Sequence, residues 1–161
     1  MKLSLACTLV AAAVLAATAS GGSGKATCPA TAPASTTATA EPAAGPLVPT
    51  GASALLLCRY RGLNPASTAH RLDGSRDVTG EAELKRLTGE FDALPKASLM
   101  FHCPMDDGSE ITGRFTYPHG AAVLLTVGLT GCRTVTNGRI VRSAAGSGGS
   151  ALIEQLTALV A

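Results

Sequence analysis

Within a short stretch, His102, Cys103, Asp106, Asp107 and Glu110 bring together an imidazole, a thiol and three carboxylates. Imidazole and carboxylate can exchange a proton with a reacting group, and a thiolate can attack a carbonyl or ligate zinc. This region is therefore the place to look for a small secreted hydrolase built on His102, Asp106, Asp107 and Glu110. The spacing argues for something plainer. Asp106-Asp107-Gly108 has the composition of a tight turn ahead of a strand beginning near Glu110. A turn is the first reading, a weak surface cation site the second and catalysis the third. His70, His102 and His119 lack the short helical spacing of a metal pair, and no Gly-x-Ser-x-Gly elbow occurs. Gly21-Gly22-Ser23-Gly24-Lys25-Ala26 only faintly resembles a phosphate-binding loop: residue 19 is alanine, and no hydroxyl follows the lysine. No catalytic residue, cofactor or metal ligand is assigned.

Basic residues offer a second chemistry. Arg59-Tyr60-Arg61 sets two guanidiniums beside a phenol, and Arg133, Arg139 and Arg142 form another small group. Arg59, Tyr60, Arg61, Asp106 and Asp107 are the candidates for contact with a partner, against the plainer reading of solvated strand edges. The whole chain has 13 Lys and Arg against 11 Asp and Glu, with no long basic run. That balance argues against a dedicated nucleic-acid or anionic-membrane binder, which needs clustered cations.

The cysteines place these groups in a compartment. Lys2 and the apolar run to Ala16 precede Ala17-Thr18-Ala19, the small-x-small pattern of a signal-peptidase site, so residues 1–19 read as a secretory signal. Neither Cys7 nor Cys28 fits a lipobox, and free secretion without a stable membrane anchor is expected. Four cysteines follow the signal: Cys28, Cys58, Cys103 and Cys132. In an oxidising compartment an even number implies two disulfides, with three connectivities open. Residues 20–46 are rich in Gly, Ser, Ala, Thr and Pro and read as a flexible tail. Residues 47–161 then form a single domain.

The elements that must position these residues show in the periodicities. Residues 54–60 read as a buried strand. Thr79 is expected to cap a helix whose Leu84, Leu87, Phe91 and Leu94 share one face, ending at Pro95. Ile111, Phe115 and Tyr117 alternate with Thr112, Arg114 and Thr116, and Val123, Leu125, Val127 and Leu129 line one face of a returning strand. Asn137-Gly138 predicts a two-residue type I′ hairpin with Val135 opposite Ile140. A Gly/Ser linker (residues 146–150) leads to a helix bearing Leu152, Leu156 and Leu159. The sum is an α+β domain: an antiparallel sheet of about five strands, two helices on one face and two disulfides. If Tyr117 and Ala121 flank the turn at Pro118-His119-Gly120, the register returns the chain after Leu129 to the segment before Glu110. That brings Cys132 to Cys103 and leaves Cys28 for Cys58.

Four pieces together carry a resemblance: Cys28-Pro29, the run from Leu57 to Asn64, the run from Cys103 to Gly108, and Gly131-Cys132-Arg133 with Thr136-Asn137-Gly138. Over about residues 28–142 the chain resembles uncharacterised secreted four-cysteine proteins of Streptomyces-type actinobacteria. The resemblance implies localisation and a two-disulfide domain, and it carries no activity. A non-catalytic extracellular binding or inhibitor-like module is therefore expected, with an extracellular protein or a cell-wall component as its partner. Its contact loops would be residues 61–65, 104–109 and 118–120.

Overall fold

The computed structural model describes residues 26–34, 45–97, 103 and 105–161; the expected signal at 1–19, the spacer that follows it, and His102 lie outside the described residues. The chain forms β1 (Ala54–Tyr60), β2 (Leu72–Val78), α1 (Glu81–Asp92), β3 (Glu110–Thr116), β4 (Val123–Gly128), β5 (Thr134–Thr136), β6 (Val141–Ser143) and α2 (Ser147–Leu159). The six strands make one sheet in the order β2-β1-β3-β4-β5-β6, every neighbour antiparallel.

One face of this sheet carries the core. Leu55 and Leu57 of β1, Ile111 and Phe115 of β3, Leu125 and Val127 of β4, and Val135 of β5 are all buried. Both helices cover that face. Leu84, Leu87 and Phe91 of α1 join Leu152, Ile153 and Leu156 of α2 in the same cluster. The Phe91 ring meets Phe115 edge-on, with centroids 6.0 Å apart. Arg86 of α1 donates to Gln155 of α2 at 2.7 Å, so the two helices also touch each other. The chain entering the sheet adds Leu47 and Val48, both fully buried, to the cluster.

The expected α+β architecture and both disulfides are present, and the strand count rises from about five to six. The additional strand is β2. Its residues, Leu-Asp-Gly-Ser-Arg-Asp-Val, show no alternation of apolar and polar side chains. An edge strand needs none, because pairing with β1 holds it and its charges discourage further pairing at the rim. Three local expectations also change. Gly80, not Thr79, is the N-cap of α1, and no side chain caps it. Helix α2 starts at Ser147, inside the stretch that composition marks as linker. The loop between β5 and β6 is longer than a two-residue turn: Thr136 pairs with Val141 and Val135 with Arg142, so Val135 does not face Ile140. Asn137 sets that length, because its side-chain oxygen accepts from the backbone N–H of Arg139 and of Ile140. Ile140 is thereby free to bury itself at the edge of the core.

The β3–β4 register follows the expectation. Phe115 faces Val123 and Glu110 faces Gly128, the same register that sets Tyr117 level with Ala121. The Leu129 N–H accordingly reaches the Ser109 carbonyl at 3.0 Å. The disulfides are Cys28–Cys58 and Cys103–Cys132. Residues 26–34 consequently run against the sheet face opposite the helices instead of trailing away as a tail. Backbone bonds from Ala32 to His70 and from Leu72 to Ala30 hold them there, beside the bridge from Cys28 to Cys58.

Candidate functional site

Three loops meet at the end of the sheet where β1 finishes and β3 begins. They are residues 61–71, 105–109 and 129–133. The Leu63 N–H donates to the Asp107 carbonyl at 2.7 Å and joins the first loop to the second. Thr130 joins the second to the third. Its hydroxyl donates to the Asp107 carboxylate at 2.6 Å and accepts from the Asp107 backbone N–H at 3.1 Å. Cys103–Cys132 ties the same two segments covalently, with the Cα atoms 4.8 Å apart. Gly62 and Gly131 permit this approach. A Cβ at Gly62 would sit 2.7 Å from the Asp107 carboxyl carbon, and one at Gly131 2.6 Å from the Asp106 Cβ.

The two aspartates are therefore turn residues. Asp106 accepts from the Gly108 N–H at 3.0 Å and Asp107 from the Ser109 N–H at 2.9 Å, each two residues ahead. The Thr130 hydroxyl, and then the Ser109 donors, hold the Asp107 carboxyl below its ordinary 3.8, because each stabilises the charged form. A carboxylate so engaged is a poor proton acceptor at neutral pH. Glu110 is buried on β3 opposite Tyr60 of β1, and it lines one cleft with Asp106 and His70. Among the described residues, no group of three or more His, Cys, Asp and Glu is placed to hold a metal ion.

The other expected contact residues separate. Arg61 and Arg59 both turn to Asp73: Arg61 makes an ion pair of 2.6 Å, and Arg59 approaches to 3.9 Å. Tyr60 lies between them in sequence and points to the opposite face, where it is fully buried and donates to the Pro29 carbonyl at 3.3 Å. Burial pushes its phenol above the ordinary value, and the neighbouring Glu110 carboxylate adds to that rise. Tyr60 thus presents nothing to a partner. Arg133 donates to Ser150 at 3.1 Å and Arg142 to the Gly45 carbonyl at 3.1 Å. The loop at 118–120 follows β3 and precedes β4, at the opposite end of the sheet from the other two expected contact loops.

Beside polar groups such as Asn64, His70 and Asp106, the loop end also offers large apolar side chains to solvent. Met105 is 92% exposed and Leu63 50% exposed, two of the three large hydrophobic side chains that stand out from the surface among the described residues. Met105 has a φ of +61° and His70 one of +56°, so the backbone on both sides of this end is held in the left-handed region. His70 lies beside Gly108, where a Cβ would come within 3.3 Å of its ring. Loop composition points to these segments, but the roles of Thr130, Met105 and Leu63 have no short-range signature. No protein-family model, curated protein or solved structure matches this chain. The site must be read from its own geometry. No described helix is long and apolar enough to cross a membrane.

Proposed function

We propose that this is an exported, non-catalytic module that binds an extracellular protein through its loop end. One observation carries the reading: three loops, locked to each other by Cys103–Cys132, Thr130–Asp107 and Leu63–Asp107, hold Met105 and Leu63 out into solvent. Exposed apolar side chains on a rigid frame suit protein recognition, because the entropy of ordering the loops is spent in folding instead of in binding. An apolar pair favours a protein partner over a hydrophilic cell-wall polymer. Two disulfides agree with an oxidising destination. Export after cleavage at Ala19, and kinship with the secreted four-cysteine proteins of actinobacteria, belong to the same proposal.

The test uses the secreted chain, immobilised and exposed to proteins of its own culture supernatant. A retained protein should be lost when Met105→Glu and Leu63→Glu are introduced together, with both disulfides and the melting temperature unchanged. Retention by the double variant would move the binding surface elsewhere. Peptidase, esterase and glycosidase screens should show no turnover. Turnover that disappears in His102→Ala and in Asp106→Ala, with folding intact, would replace the binding reading with the hydrolase.

A further inference from the structure

The sheet face opposite the helices carries a second surface, remote from the loop end in its chemistry. Arg114 of β3 pairs with Leu124 of β4. The register of β4 with β5, Thr126 opposite Thr136, brings the loop at Gly138 and Arg139 level with Leu124 on its other side. An exposed leucine, 59% accessible, therefore stands between two arginines. Two strand spacings separate the flanking backbones, about 10 Å, within reach of two long guanidinium side chains converging over the leucine.

Five of the other seven described arginines are engaged with neighbouring groups. Arg59 and Arg61 face Asp73, Arg86 faces Glu90, Arg133 meets Ser150 and Arg142 meets a carbonyl. Among the described residues, the guanidiniums of Arg114 and Arg139 have neither an ion pair nor a hydrogen bond. Both line one cleft of about 950 Å³, together with Leu56, Leu124, Thr112 and Thr126, and no described lining residue is acidic. The volume falls within the range of small-molecule sites. Among the described residues its walls are largely apolar, its hydroxyls are neutral and its charge is of one sign.

We propose that this cleft binds an amphipathic anion: a carboxylate or phosphate head group held between Arg114 and Arg139, with its apolar chain laid over Leu124 and Leu56. Two guanidiniums can share the oxygens of one such head group through charge-assisted hydrogen bonds. The leucines then supply an attraction that a bare inorganic anion cannot use. Charge complementarity selects an anion, and the exposed leucine between the charges selects one with an apolar part.

Isothermal titration of the purified, secreted chain tests the proposal with decanoate, decyl phosphate, inorganic phosphate and decyltrimethylammonium, each below its micelle concentration. Decanoate or decyl phosphate should bind, and whichever binds more tightly identifies the head group. The Arg114→Gln/Arg139→Gln variant should lose at least about tenfold in affinity, the loss of one charge-assisted bond or more. Leu124→Ser should weaken the decyl ligands and leave inorganic phosphate unchanged. Inorganic phosphate binding as tightly as decyl phosphate would overturn the apolar half of the proposal. Equal binding of decyltrimethylammonium would overturn the anionic half. Residues 35–44 join Ala34 to Gly45, which both line the cleft. Binding seen only after replacing residues 35–44 with a Gly/Ser stretch of equal length would assign the cleft to the chain itself and overturn the proposal. A normal near-ultraviolet circular dichroism spectrum and intact disulfides confirm that each variant is folded.

Discussion

Thr130 does three things with one hydroxyl. It donates to Asp107, accepts from the Asp107 backbone N–H, and lies 3.3 Å from the Asp106 carboxylate. A valine would fill the same volume and leave those partners facing a methyl group. Thr130→Val should therefore cost about 1–3 kcal/mol, the penalty for stranding partly buried polar groups. It should also change the acid limb of the stability curve. The Asp107 carboxyl titrates below its ordinary 3.8 in the folded protein, chiefly through the Thr130 hydroxyl. A depressed carboxyl contributes stability that is present above the ordinary value and is lost as pH falls through the lower folded one. The parent protein should lose melting temperature more steeply below about pH 4 than Thr130→Val does. Parallel acid limbs for the two proteins would show that the hydroxyl does not set this titration. Sequence alone could place Asp106 and Asp107 in a turn, because Asx turns are local. It could not find Thr130, whose link to Asp107 spans 23 residues.

Between elements, the same division separates what repetition reveals from what single contacts decide. Alternation in β3 and β4, broken by Pro118-His119-Gly120, fixes a register that places Leu129 beside Ser109. A slip of one residue would turn every buried side chain to the wrong face, so the pattern admits one answer. The stripe on α1 is equally legible, and it states which residue matters most to the helix. Phe91 is buried and edge-on to Phe115. Phe91→Ala should lower stability by about 3–5 kcal/mol, measured by denaturant unfolding; a loss under about 1 kcal/mol would mean that the helix is not anchored there. Strand β2 has no such pattern and is found only through its partner. The β5–β6 loop departs from the expected two-residue turn for a different reason. Asn-Gly suits a type I′ turn, but Asn137 spends its side chain on the N–H groups of Arg139 and Ile140 and on the Leu47 carbonyl. Only Gly138, at a φ of +84°, takes the left-handed conformation; Asn137 does not. Asn137→Ala should thus destabilise the fold as strongly as Gly138→Val, by about 1–3 kcal/mol in each case. A two-residue turn predicts a mild effect for the alanine, and thermal melts of the two variants distinguish the loops.

At the scale of the whole molecule, the two disulfides brace different surfaces although each closes a loop of similar length, with separations of 30 and 29 residues. Cys103–Cys132 stiffens the loop end. Cys28–Cys58 presses residues 26–34 onto the face opposite the helices, where Pro29 covers the Tyr60 hydroxyl. Chain entropy would assign the two bridges nearly the same stabilisation, about 2–4 kcal/mol each. Local structure gives them distinguishable signatures. The protein has two tyrosines and no tryptophan, so an alkaline absorbance titration reads two phenols without interference. Burial raises both above the ordinary 10.0. Tyr117 serves as the internal control, because it donates to the Pro49 carbonyl at 2.8 Å, away from the Cys28 segment. In a Cys28→Ala/Cys58→Ala variant the segment loses its covalent tie and Tyr60 gains water. One phenol should then titrate close to its ordinary value while the other stays high. In Cys103→Ala/Cys132→Ala both should stay high, since that bridge does not cover either ring. Two phenols that both stay high in the first variant would show that Ala30 and Ala32, through their backbone bonds to Leu72 and His70, hold the segment without the disulfide. The bridge would then act on the unfolded chain alone, and the covering of Tyr60 would belong to the backbone pairing.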